Sequence, residues 1–286
     1  MLKHSLDHLP TSKRDQLAAI VQVIRDAVEV EMIILFGSHA RGDWVDDPVG
    51  GYFSDYDILV LVRDDATVDD HDLWSTVENK AGRHARKNQP NLIVHTSADV
   101  NHQLEQGWYF FTDVKKEGIV LHDAGRHQLA EAVAKTLEQR RVYAQQCFDY
   151  YFLQASQFFT HAIEGIERGW NNGGAFMLHQ ATENYYKCAL LVLTAYRPRQ
   201  HNIQTLGKQC ASLHPAFRDV FPRDTPPANH RFKLLKKAYV DARYNMHYRI
   251  SRSDLEELAR NIAVLRERTE AVCTEHIASM TTEPPG

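Results

Sequence analysis

The sequence predicts an α+β protein: a small α/β unit followed by an all-helical bundle. Short continuous apolar runs in residues 1–123 read as buried strands. Beyond residue 125 the apolar residues recur at helical spacing, and no stretch reads as a strand. The chain has 286 residues, natural for two domains at roughly 150 residues each. With 43% hydrophobic and 24% charged residues, a sizeable core is available and wholesale disorder is excluded.

Residues 12–30 read as an amphipathic helix capped by Thr11 or Ser12, with Leu17, Ile20, Val21, Ile24 and Val28 along one stripe. Met32 to Phe36 is a buried strand ending at Gly37, and residues 43–54 read as a loop. Asp55 to Val62 forms a second buried strand. A helix over 70–87, a short strand at Leu92–Val94 and a last strand at Ile119–Leu121 complete the unit. Residues 126–164 then read as one or two long helices, broken near Gly165–Gly174. Helices follow over 174–196, from Asn202, over 229–248 and over 252–275, the last capped by Ser251 or Ser253. A Pro-rich loop holds Pro215, Pro222, Pro226 and Pro227.

The net charge of −4 hides two unlike halves. Residues 1–123 carry 12 Lys/Arg against 21 Asp/Glu, net −9, and residues 124–286 carry 21 against 16, net +5. An acidic unit is joined to a mildly basic one that suits an anionic partner. Cys147, Cys188, Cys210 and Cys273 lie far apart, which favours free thiols over a zinc knuckle or a disulfide framework. No apolar run approaches the ~20 residues of a membrane helix, and the start of the chain has no apolar signal core. The expectation is a cytoplasmic protein without a membrane partner. The 16 histidines form no H-E-x-x-H motif, so a zinc enzyme is poorly supported. His4, His8, His71, His84 and His276 read as surface residues.

Two constellations carry chemistry. In the first, Gly37-Ser38-His39-Ala40-Arg41-Gly42 follows a buried strand, and Ser54-Asp55-Tyr56-Asp57 opens the next. The absent side chain of Gly37 lets the backbone approach a ligand, and the Ser38 hydroxyl suits phosphate oxygens. Arg41 either binds phosphate or braces the Asp-bearing loop. Asp55 and Asp57, two apart on a strand, share a face and repel unless a cation lies between them. Mg²⁺, completed by nucleotide phosphates, is the natural cation.

G-S-x-A-R-G followed by S-D-x-D resembles the minimal members of the nucleotidyltransferase superfamily, over roughly residues 15–123. The resemblance implies a small mixed sheet flanked by helices, binding NTP (ATP foremost) with Mg²⁺ or Mn²⁺. Gly37, Ser38, Arg41 and Ser54 would bind nucleotide, and Asp55 and Asp57 would be the metal ligands and catalytic acids. It also implies a third carboxylate on a later strand. There the sequence has Asn91, with His95 and then Asp99 as neighbouring candidates. His39, at the variable position of the loop, would face solvent or touch substrate.

In the second constellation, His179, Glu183 and Lys187 lie at i, i+4 and i+8, a polar stripe on a helix. Arg243 and His247, four apart, share one helix face. They suit either RNA phosphate binding with acid–base cleavage, or pairing with the Glu183 stripe. With the His201-Asn202 helix start, this half resembles HEPN helical bundles over roughly residues 140–275. That resemblance implies dimerisation through the helical domain and, in many members, ribonuclease activity from Arg and His. The usual motif has four to six residues between them, against three here. In toxin–antitoxin pairs of this type the transferase adds AMP to a Tyr near the HEPN motif, which makes Tyr244 and Tyr248 the candidate modification sites. Both modules on one chain resemble a fused form of such a pair, and also the kanamycin nucleotidyltransferase architecture. The basic excess of the helical half disfavours a polycationic drug as acceptor.

The resemblances divide the chain into a transferase domain (1–123), a linker helix (124–139), a HEPN domain (140–276) and a disordered tail (277–286). The leading expectation is Mg²⁺-dependent transfer of NMP onto an acceptor hydroxyl, either a Tyr of a HEPN domain or RNA. The alternatives are a nucleotide-binding regulator of weak activity and a HEPN ribonuclease restrained by its transferase domain.

Overall fold

A computed structural model describes residues 2–47, 52–85, 87–198 and 201–280, without the side chains of Tyr52 and His71. The chain forms two compact units, Met1–Lys135 and Thr136–Gly286.

The first unit is built on a four-stranded mixed sheet of order β5-β4-β1-β6. It comprises β1 (Val30–Phe36), β4 (Tyr56–Val62), β5 (Pro90–Thr96) and β6 (Ile119–Asp123). β4 and β5 run parallel, while β1 is antiparallel to both β4 and β6. Every residue of β1 is buried. Alternation explains this: Ile33 and Leu35 join Ile58 and Val60 in a core with Leu17, Ile20 and Ile24 of α1 (Thr11–Ala27) and Trp74 and Val77 of α4 (His71–Gly82). Ile34 and its partner Leu59 face the other way, and burial on both faces makes the strands continuously apolar.

Several local details depart from the sequence reading. α1 begins at Thr11 after Pro10, with no side-chain cap. The 43–54 loop carries a small antiparallel pair, β2 (Asp46–Asp47) and β3 (Tyr52–Phe53), whose connection over 48–51 lies outside the described residues. The remaining helices of this unit are α2 (Gly37–Arg41), α3 (Asp65–Asp69), α5 (Ser97–Glu105) and α6 (Tyr109–Glu117).

The linker helix is corrected: residues 124–136 hold no helix. Their backbone is satisfied by tertiary partners instead of i→i−4 bonds. Asn101 Oδ1 accepts from Ala130 N–H at 2.7 Å, Lys115 Nζ donates to Ala130 O at 2.7 Å, and Val133 N–H donates to Leu104 O at 3.1 Å.

The second unit is helical: α7 (Leu137–Glu167), α8 (Asn171–Thr194), α9 (Ile203–Leu213), α10 (Pro226–Tyr244) and α11 (Arg252–Ser279). Thr136 and Gln139 start α7 with a reciprocal capping box. Asn202 caps α9 and Ser251 caps α11. Pro226 and Pro227 belong to the first turn of α10, where a missing N–H costs nothing. α8 is the central helix, buried all round from Ala181 to Val192 and packed against α7, α9, α10 and α11. All four cysteines are free and buried in this core. α11 runs to Ser279, beyond the start of the expected tail, and residues 281–286 lie outside the described residues. Among the described residues, no helix is long and apolar enough to cross a membrane.

Candidate functional site

In the first unit, antiparallel pairing sets Phe36, at the end of β1, opposite Asp57, near the start of β4. Gly37 therefore abuts Asp57. A Cβ at Gly37 would fall 2.4 Å from Asp57 Oδ2, and its φ of +70° also favours glycine. The absent side chain admits this carboxylate, not only a ligand. Parallel pairing sets Asn91 beside Asp57, and Asn91 Nδ2 donates to Asp57 Oδ1 at 2.9 Å. Burial pushes Asp57 up to about 7. The charges of Asp55 and Glu117 push the same way, while the Asn91 bond and Arg41 oppose them.

The surrounding side chains brace this corner. His39 is fully buried, stacked on Trp44 and tilted against Tyr56, and its Nδ1–H donates to the Asp55 carbonyl at 3.0 Å. Burial, with Lys13 nearby, lowers its pKa to about 4. His39 thus holds the Asp55 backbone, contrary to a solvent or substrate position. Ser54 is buried and its hydroxyl accepts from Val45 N–H at 2.9 Å, which ties down the loop. Lys13 and Asn88 fasten the same loop through Asp46 at 2.8 and 2.7 Å.

Arg41 takes the bracing role: its guanidinium donates to Glu117 at 2.9 Å and to Asp43 at 3.2 Å. Glu117 also accepts from Gly37 N–H at 3.3 Å. The sequence reading missed Glu117, which ends α6 with no motif around it. His95 pairs with Asp99 at 2.6 Å but sits opposite Leu61. That is four residues along the sheet from Asp57, or roughly 13 Å, so neither stands in for the third acid. Among the described residues, no group of three or more His, Cys, Asp or Glu is arranged to hold a metal ion.

The helical unit gathers a second cluster. His179, Glu183 and Lys187 form no solvated stripe; all three are buried, because α8 is enclosed on every side. Glu183 Oε1 accepts from Lys187 Nζ at 2.9 Å and pairs with His201 Nδ1 at 2.9 Å. Despite burial, these partners hold the Glu183 carboxyl below its usual range. His179 Nδ1 and Glu183 Oε2, 3.9 Å apart, have no hydrogen-bond partner. Tyr239 of α10 stacks on His201 at 4.7 Å and tilts over His179 at 5.4 Å. Arg243 lies over the rings of Phe176, Tyr239 and Tyr244 at 4.7–4.8 Å. The sequence reading did not single out Tyr239.

Arg243 and His247 do not share a helix face. α10 ends at Tyr244, and Asn245 Oδ1 accepts from His247 N–H at 2.9 Å, a side-chain turn that competes with continued helix. His247 lies exposed beyond the helix. The two candidate tyrosines also separate. Tyr244 is 74% exposed. Tyr248 is buried and donates its hydroxyl to Leu234 O at 3.0 Å, and burial raises its pKa, so it presents no free hydroxyl for modification. His276 is half-buried with its pKa lowered by burial, not a surface residue. The side chain of His71 lies outside the described residues.

Burial lowers His179 to about 4 in the fold, against an ordinary 6.5. Between those values the unfolded chain binds the extra proton, so this group's stability contribution is full above pH 6.5 and falls towards pH 4. The contribution is expected to be about 2 kcal/mol smaller at pH 5 than at pH 8. Urea unfolding at both values measures it, and His179→Gln should flatten the difference by that amount. An unchanged pH slope in the variant would show that His179 is not its source.

No curated protein matches the chain. The helical unit, in which α8 carries the Glu183 cluster, matches a known family model: residues 148–272 match the HEPN domain.

Proposed function

We propose that the first unit transfers NMP from an NTP, most readily ATP, onto an acceptor hydroxyl with Mg²⁺ or Mn²⁺. The single observation that carries this reading is the seating of Asp57 against Gly37, at 2.4 Å from a would-be Cβ. It sets the Gly37–Ser38 turn beside Asp57, which is close enough to Asp55 to feel its charge. The donor set fits a hard divalent cation. Two carboxylates raise each other's proton affinity, and Mg²⁺ typically takes one or two protein carboxylates with substrate phosphates completing its shell. When bound, the cation neutralises the triphosphate and lowers the pKa of an attacking hydroxyl.

The chain's own residues do the rest. Asp55 and Asp57 supply the oxygen donors, Asn91 fixes Asp57, and His39 fixes the Asp55 backbone. Ser38 donates to a phosphate oxygen, while Arg41 and Glu117 stiffen the turn. The acceptor is a hydroxyl of RNA or of a HEPN-domain tyrosine. In this chain Tyr244 has the exposure for it, and a homodimer through the helical domain belongs to the same reading.

Intact-mass spectrometry of the protein with each NTP and Mg²⁺ tests this. The wild type is expected to gain one nucleotide and Asp55→Ala/Asp57→Ala to gain none. Equal gain in both would remove the carboxylates from the chemistry; no gain in the wild type would remove self-modification.

Specific observations favour two further readings. Asn91, beside Asp57 where a third acid is expected, favours nucleotide binding with little turnover. The HEPN match together with the Glu183–His201 cluster favours a ribonuclease activity of the helical unit.

A further inference from the structure

We propose that Glu183 and His201 form an acid–base dyad whose imidazole moves the proton at a phosphodiester of single-stranded RNA. The inference rests on the ribonuclease reading and gives His201 the proton-transfer role that the Arg–His motif would give to His247.

The geometry of the two histidines differs sharply. His247 sits past the end of α10 in an exposed turn. His201 has a 42% exposed side chain anchored on a carboxylate that is only 6% exposed. Glu183 takes Nδ1 at 2.9 Å, and Tyr239 covers one ring face at 4.7 Å with the planes 12° apart. These two contacts fix both tautomer and orientation: Nδ1 carries the hydrogen towards the carboxylate, and Nε2 keeps its lone pair for a ligand. Lys187, on the same Glu183 oxygen, keeps that carboxylate charged. A helical core gains little from a buried ion pair, since apolar residues of equal volume serve as well or better. What the pair does for the exposed imidazole explains it.

The surroundings select the ligand. Arg243, 4.7 Å over the Tyr239 ring that also stacks on His201, adds a fixed cation for a phosphate. Exposed Tyr244, against the same guanidinium, offers a face for a base. Neither Glu183 nor Tyr239 supplies a nucleophile to Nε2, so the substrate that suits the dyad brings its own, as RNA does with its 2′-hydroxyl. His201 Nε2 takes the 2′-hydroxyl proton, O2′ bonds to phosphorus and the P–O5′ bond breaks. The departing oxygen takes a proton from water, and the imidazolium returns its proton to the hydroxide. The products are a 2′,3′-cyclic phosphate and a 5′-hydroxyl.

The test uses the full chain with an end-labelled single-stranded RNA and the DNA of the same sequence. The wild type is expected to cut the RNA to cyclic-phosphate ends and leave the DNA intact. His201→Gln should cleave about 100-fold more slowly with an unchanged melting temperature. His201→Gly should recover cleavage when free imidazole is added, which a structural role would not give. Wild-type rates in His201→Gln, or no rescue of His201→Gly by imidazole, would overturn the dyad and leave the ribonuclease reading standing. An intact RNA with the wild type would overturn both.

Discussion

Gly37→Ala is expected to slow NMP transfer about 100-fold while leaving the protein folded. Its new Cβ would meet Asp57 Oδ2 at 2.4 Å, with the backbone held at φ +70°. The left-handed conformation costs a non-glycine residue about 1–2 kcal/mol, tolerable for a domain with buried strands on both faces. The carboxylate, however, must move by most of an ångström. Displacements of that size at a reacting centre cost on the order of 100-fold in rate. Gly42→Ala separates the two effects. Gly42 is also left-handed, at φ +95°, but a Cβ there meets only His8, at 3.7 Å. It should lose similar stability and keep transfer. Calorimetric melting with the mass-gain assay reads both quantities, and equal transfer losses in the two variants would refute the close-approach argument.

Lys187→Met is expected to be the most destabilising single change in the helical unit. It leaves Glu183, only 4% exposed, with His201 as its remaining close partner. Breaking a buried pair from one side costs roughly 3–5 kcal/mol, because the other charge stays desolvated. Removing both charges with Glu183→Gln/Lys187→Met should recover most of that loss. Urea unfolding of the three proteins decides it. A double variant as unstable as Lys187→Met would mean that packing of the lysine stem, not charge pairing, sets the cost.

The strands of the first unit were legible because a sheet covered on both faces needs apolar residues without alternation, and Met32 to Phe36 and Ile58 to Val62 supply them. The pair of two-residue strands around Asp46 and Phe53 carries no pattern long enough to read. Residues 128–135, rich in Ala and good helix formers, mislead for the opposite reason. Propensity there is a weak term, and side chains from distant helices claim the backbone first. Asn245 ends α10 by a local bond that the hydrophobic spacing of Ala238–Tyr248 cannot register.

The acid pair was readable because both members lie in one short stretch. Glu117 was not, being brought to Gly37 by the fold alone. The His179–Glu183–Lys187 stripe was found by spacing and misplaced by polarity. A polar stripe implies solvent only when the helix has a solvent side, and α8 has none along that stretch.

The cysteine distribution has a practical meaning. All four thiols are buried, and all four lie in the helical unit, with none among residues 1–135. Each sulfur is therefore a built-in clock for one half of the molecule. Alkylation at sulfur counts openings of the bundle and is blind to the unit that carries the aspartates. The two halves can thus be timed separately without adding a label.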